Sequence, residues 1–263
     1  MRIIKSIVVT KKKIFCILGG IAALALSAHM ISPTVQSVFH IAEAERKLPI
    51  YCVDTPEKKV SISFDAAWGA DDTDELLRIL NENDVKTTFF MCGYWVDNYP
   101  EEVKKIAEAG HDLGNHSATH PHMSQLTKEQ IKQELQTAHQ KVKDLTGTDM
   151  ELFRPPFGEY DNKTIEAAQE TGYYTIQWDV DSLDWKELGA EHEINQVLNH
   201  KHLGNGSIIL FHNDAKYTPQ VLDSIIKGLK QKGYEIVPIS EIIIRDNYEI
   251  DHEGRQKQKS SDN

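Results

Sequence analysis

The residues of this chain best suited to chemistry are scattered, and each set follows a strand-like run. Asp65 closes Val60-Ser61-Ile62-Ser63-Phe64-Asp65 and leads into the loop Ala66-Ala67-Trp68-Gly69. His116 and His120 follow the run 111–115, and Arg154 follows Leu152-Phe153 and precedes Pro155-Pro156. Asp181 and Asp184 follow the run 173–178, and His212 ends the run 207–212. Taken singly, each has a plain structural explanation. An aspartate after a strand serves as a turn or cap residue. Two histidines at i, i+4 share a solvated helix face, an arginine before prolines pairs with an acid, and a histidine closing an apolar strand is a satisfied core residue. Five sets in register at five strand ends are much harder to dismiss. In β/α folds the loops after the strands form the active face, and carboxylates and imidazoles are the groups on which acid–base chemistry draws.

The elements that must position them alternate along the chain. Strands are predicted at 60–65, 87–91, 111–115, 152–154, 173–178, 207–212 and 235–237. Between them, helices are predicted from 72 through a stripe ending at Leu80, and near 100–109, 127–145, 162–171, 191–200 and 218–232, with a last short helix capped by Ser240. Asp72 and Glu75 stand at capping-box spacing, Thr127 is a cap, and Gly110, Gly147, Gly172 and Gly233 end helices. Seven alternations predict an α/β fold, a parallel sheet wrapped by helices as a distorted (β/α)7 barrel. No glycine-rich phosphate loop follows a strand.

From about Lys59 to Ile244 the chain resembles the polysaccharide deacetylase family, the NodB-homology carbohydrate esterases. Five ordered motifs carry the resemblance. The family's T-F-D-D-G corresponds to Ser63-Phe64-Asp65-Ala66-Ala67-Trp68-Gly69, and H-[ST]-x-x-H is intact as His116-Ser117-Ala118-Thr119-His120. R-x-P-[FY] is Arg154-Pro155-Pro156-Phe157, D-x-x-D-W is Asp181-Ser182-Leu183-Asp184-Trp185, and L-x-H is Leu210-Phe211-His212. The variant first motif is similar to that of the family's sporulation-type branch.

The resemblance implies the NodB-homology fold and removal of acetyl groups from N-acetylated sugar polymers with a divalent metal. His116 and His120 would ligate it, and imidazole suits zinc, cobalt or nickel. Asp65 would take a proton from the attacking water, with Arg154 holding it ionised. The backbone N–H of Phe157 would steady the oxyanion. His212 would protonate the departing amine, held by Asp184 or, in a different register, by Asp181. Trp185 and Leu210 would line the groove. One position departs from the family: its third metal ligand is replaced by Ala66, which predicts weaker metal binding. Asp71, Asp72, Asp74, Asp112 and Glu159 are the other carboxylates that stand in sequence near enough to be considered. The departure also keeps open a second reading, a catalytically silent glycan-binding or wall-assembly module.

The bulk properties fit a neutral or mixed-charge substrate. The chain has 263 residues, 40% hydrophobic, and a formal net charge of −11, which disfavours nucleic acid as a partner. Arg2, Lys5 and Lys11-Lys12-Lys13 precede an apolar run, 14–31, the pattern of an export signal or single-span membrane anchor. Residues 1–31 are thus read as signal or anchor, 32–58 as a stalk in which Ile50-Tyr51-Cys52-Val53 suits a short extra strand leading into the domain, 59–244 as the catalytic domain and 245–263 as a fraying polar tail, all beyond the anchor extracytoplasmic. Cys52 and Cys92 form either one disulfide or two free thiols.

Overall fold

The structure is a computed structural model, and it describes residues 46–259. Its frame is a parallel sheet built around β2 (Lys59–Ala66), a strand buried along nearly its whole length. Val60, Ile62 and Phe64 point to one face and Ser61, Ser63 and Asp65 to the other, as a two-residue period requires. The apolar face packs under helices, where the Phe64 ring stacks on Phe89 with centroids 4.9 Å apart. The other face lines the barrel interior, where small serines leave space for a long side chain from across the sheet.

β2 pairs on one side with β3 (Thr88–Met91) and on the other with β8 (Ile208–His212). Beyond β3 come β4 (Asp112–Asn115), β5 (Leu152–Phe153) and β6 (Tyr174–Thr175); beyond β8 lies β7 (Val180–Asp181). β9 (Glu235–Ile236) joins the amino end of β2. The run predicted as one strand over 173–178 is strand only at Tyr174–Thr175, with a bridge from Ile176 to Ile50. Its first part pairs with β5, and after Trp178 the chain crosses to pair with β8. That crossing distorts the barrel: one segment bridges the two sheet edges where an eighth strand would stand in a regular one.

The helices lie where the apolar periodicity puts them: α1 (Thr73–Glu82), α3 (Pro100–Glu108), α4 (Lys128–Thr146), α5 (Asn162–Glu170), α6 (Ala190–Leu198) and α7 (Thr218–Gln231). Between β3 and α3 a short α2 (Gly93–Asn98), not read from the sequence, buries Trp95. α4 starts on the expected Thr127, with the reciprocal Gln130 contact of a capping box, and ends on left-handed Gly147. α1 has no such box. Asp72 instead accepts a hydrogen bond from the Asp214 N–H at 2.8 Å, and Glu75 pairs with Arg78. The last helix, α8 (Ile239–Ile242), starts after Pro238, while Ser240 donates its hydroxyl to Asp112.

The two flanks of the domain differ from expectation. Residues 47–53, within the span read as stalk, are built in: Ile50 is buried and bridges to Ile176, and the short strand expected at 50–53 is present as β1, Cys52–Val53. The tail read as fraying forms β10 (Tyr248–Ile250) and β11 (Arg255–Gln258), which complete a three-stranded sheet with β1. Its polar sequence is explained by Gln256, whose buried amide both accepts from the Ile244 N–H and donates to the Ile244 carbonyl. Among the described residues no helix is long and apolar enough to cross a membrane; the run 14–31 and most of the predicted stalk lie outside them. Cys52 and Cys92 are both free and buried, so the disulfide alternative does not hold.

Candidate active site

Asp65 sits at the end of β2 between Phe90 of β3 and His212 of β8 in the sheet register. Arg154, at the end of β5, reaches across the barrel interior to it. One guanidinium nitrogen donates to Asp65 Oδ1 at 2.7 Å, and the other donates to Ser63 Oγ at 2.8 Å and to the Gln177 carbonyl. Its guanidinium lies 4.2 Å from the Phe90 ring centroid, with Trp178 on the same group at 5.5 Å. Burial pushes the Asp65 carboxyl up, but the Arg154 charge, helped by His116 and His212, outweighs it and holds the group below its ordinary value.

His116 and His120 come from the loop after β4. The His116 ring puts Nδ1 2.7 Å from the Arg154 carbonyl, which assigns the proton to Nδ1 and leaves Nε2 as the lone-pair nitrogen, 3.6 Å from Asp65 Oδ2. The loop is sharply bent: Ser117 and His120 have φ of 70° and 56°. Such conformations are disfavoured for residues with a Cβ and need outside support. Asn115 supplies part of it, accepting from the Ser117 N–H at 2.8 Å. Glu134 of α4 supplies the rest, accepting from the N–H groups of Ala118 and Thr119 and from the Thr119 hydroxyl. Burial, with the neighbouring His116, pushes His120 down to about 4; burial likewise lowers His116. Both rings are therefore neutral at neutral pH.

Across the cleft, His212 ends β8 with Nδ1 2.8 Å from Asp184 Oδ1, while its own N–H donates to Asp184 Oδ2. Burial opposes its charge, but the Asp184 carboxylate outweighs burial and raises His212 above its ordinary value. Behind Asp184 lies Thr218, whose hydroxyl is 3.2 Å from Asp184 Oδ2 and 2.9 Å from Glu193 Oε1. Burial, and then the Asp184 charge, push Glu193 up to about 7 against its bond to Thr218. Asp181 caps the Leu183 N–H instead. These groups open onto a cleft of about 280 Å³ whose lining includes Trp178 and Leu210. Trp68, Phe157 and Trp185, each more than half exposed, stand on its walls. Flat aromatic faces beside a polar floor suit the apolar faces of sugar rings.

A family model described as polysaccharide deacetylase matches residues 53–176. Peptidoglycan-N-acetylmuramic acid deacetylase PdaA of Bacillus subtilis is 30% identical over 197 residues, covering 73% of this chain and 74% of its own. A peptidoglycan-N-acetylglucosamine deacetylase of Bacillus cereus is 32% identical, covering 73% of this chain and 91% of its own. The chain belongs to the polysaccharide deacetylase family. Among solved structures, a family 4 carbohydrate esterase pseudoenzyme from Bacillus anthracis superimposes with a TM-score of 0.71 at 30% identity, covering 80% of this chain and 73% of that one. A mutant of that pseudoenzyme with restored enzymatic activity matches at TM-score 0.71 and 34% identity, covering 74% and 70%.

Within this polysaccharide deacetylase fold the residues singled out from the sequence do meet. Asp65, His116, His120, Phe157, Trp185, Leu210 and His212 all line the one cleft, with Arg154 and Asp184 directly behind Asp65 and His212. The register question resolves to Asp184 as the partner of His212. Four of the five carboxylates considered as substitutes for the missing family ligand are engaged elsewhere. Asp112 binds Thr88 and Ser240, and Glu159 holds His122 and Ser124. Asp72 holds the 214 loop, and Asp74 pairs with Lys105. Among the described residues, one trio has ligand atoms all within 4.8 Å of one another: Cys92, His116 and His120. Two neutral imidazoles with a sulfur beside them suit a zinc-like cation rather than magnesium or calcium, so the donors present fit a divalent transition metal. Asn115, Glu134, Thr218 and Glu193 went unrecognised from the sequence. Glu134 and Glu193 sit on helices with no motif spacing to mark them.

Proposed function

We propose that this chain is a divalent-metal-dependent N-deacetylase of N-acetylated cell-wall or spore-wall glycan, a peptidoglycan-like polymer. The supporting observation is the opposition of two wired pairs, Asp65 with Arg154 and His212 with Asp184, across a cleft that also holds two lone-pair imidazoles. An amide resists water because its carbonyl is a poor electrophile and water a poor nucleophile. A divalent zinc, cobalt or nickel ion, held by His116 and His120, supplies polarisation of the carbonyl and acidification of water when bound. Asp65, kept ionised by Arg154, accepts the proton of the attacking water. The Phe157 N–H steadies the oxyanion that forms. His212, charged and oriented by Asp184, gives its proton to the amine nitrogen as the carbon–nitrogen bond breaks. Trp185 and Leu210 seat the sugar and the acetyl methyl. The named peptidoglycan deacetylases support a wall polymer as substrate and a place of action outside the cytoplasm. We place the domain beyond a membrane-attached or cleaved leader formed by residues 1–31. Incubation of the full chain with N-acetylglucosamine oligomers or peptidoglycan and each metal, with acetate release as readout, tests this; no acetate under any metal overturns it.

A second reading has its own supporting observations, Ala66 and the similarity to a pseudoenzyme. In it the cleft binds glycan without turnover. Acetate release by the Ala66→Asp protein alone favours that reading.

A further inference from the structure

The metal pocket of the proposed deacetylase lacks the carboxylate its family places after Asp65, and Ala66 carries no donor atom. The backbone brings a different donor to the same place. Ala66 pairs with Met91 across β2 and β3, and Met91 pairs with Asn115 across β3 and β4. The residues one step beyond these partners, Cys92 and His116, thus emerge side by side at the rim. The Cys92 N–H donates to the Ala66 carbonyl at 3.0 Å, and its sulfur lies 3.2 Å from the His116 carbonyl, wholly buried. From there it reaches the cluster with His116 and His120.

We propose that Cys92 is the third protein ligand of the metal, its thiolate replacing the absent carboxylate. The inference rests on the metal dependence put forward above. Charge is conserved by the exchange, because a thiolate carries the same single negative charge as a carboxylate. Two imidazoles and one thiolate, with a position left for water or substrate, is a set that catalytic zinc accepts. With metal–sulfur bonds of about 2.3 Å and metal–nitrogen bonds of about 2.0–2.1 Å, tetrahedral donors stand roughly 3.4–3.6 Å apart. Closing from at most 4.8 Å therefore requires movement of about 1 Å, a side-chain adjustment. On binding, the Cys92 S–H bond breaks, the sulfur lone pair forms the metal bond and the proton passes to solvent, so uptake releases acid. The soft ligand also changes selectivity: cadmium and zinc should bind well, magnesium and manganese poorly.

The test is cobalt(II) titration of the full chain followed by absorption spectroscopy, with acetate release measured separately. The wild type should show a near-ultraviolet sulfur-to-cobalt charge-transfer band that saturates with one equivalent of cobalt. Cys92→Ser and Cys92→Ala should lose that band and bind cobalt at least tenfold more weakly, and Cys52→Ser should keep both. In the Ala66→Asp/Cys92→Ala protein, tight uptake should return without the band. Cobalt uptake with no charge-transfer band, or a band that survives in both Cys92 variants, overturns the assignment, as does a wild type that takes up no cobalt. A Cys92-dependent band in a protein that releases no acetate upholds the ligand and refutes the deacetylase reading instead.

Discussion

The two sides of the cleft are built to different standards. The acid–base side is fully wired: Asp65 is held by a buried arginine that is itself tied to Ser63 and Gln177, and His212 is held by an aspartate backed by Thr218 and Glu193. The metal side keeps both histidines and the loop that aims them, yet Ala66 stands where its family has a ligand. Under the proposed function this machinery serves a site whose metal chemistry has changed; under the second reading it is kept in a cleft that binds without turnover.

The largest effects are expected on the wired side. Arg154→Leu leaves Asp65 buried without its partner and should destabilise the domain by about 3–5 kcal/mol, read by denaturant unfolding. An unchanged midpoint would mean the pair is not what orders the site. His212→Ala should lower acetate release by roughly 10²–10⁴-fold with cobalt uptake unchanged.

The pH profile sharpens the same point. In the proposed mechanism Asp65 must be ionised, and the Arg154 charge holds it below its ordinary value; His212 must be protonated, and the Asp184 carboxylate raises it above its ordinary value. Turnover should therefore fall in strong acid and again as pH rises through the raised His212 value. Asp184→Asn removes the charge that raises His212, so its alkaline limb should move to lower pH. The same pair contributes stability that is fully present below 6.5 and is lost as pH climbs through the folded-state value of His212. Asp184→Asn should accordingly cost more stability in mild acid than in alkali.

On the metal side the expected effects are smaller. Glu134→Ala releases the loop that aims His120 and should weaken metal uptake by about 10–100-fold, measured by competition with a chelator. Gly114→Ala tests how the two sides join. A Cβ there would sit 2.4 Å from the Phe90 ring that stacks on Arg154, so it should shift the arginine and lower turnover more than metal affinity. At the foot of the scale, Lys104→Ala removes only an exposed pair with Glu101 and should change stability by less than about 1 kcal/mol.

The wired side was readable from sequence because each of its groups ends or follows a strand, and strand ends in a β/α chain converge. The alternation located β2, β3, β4 and β8 to within a residue or two. It failed after Thr175, where strand-like residues continue to Trp178 but the ladder with β5 has ended and the chain crosses to β8. It failed again at α2, a six-residue turn of helix too short for periodicity to register. Cys92 could not be paired with the histidines from spacing, since their proximity is a product of sheet register across three strands. Glu134 and Glu193 were opaque for a related reason. An acid on an amphipathic helix looks like surface until the loop it receives is known.

The small three-stranded sheet has a bearing on biogenesis. β1 belongs to the first few residues of the domain and β11 to its last, and they lie side by side as parallel partners. During synthesis the Cys52–Val53 segment lacks this partner until residues 255–258 have emerged. A product ending before Arg255 would leave that edge of Cys52 and Val53 permanently without its parallel neighbour.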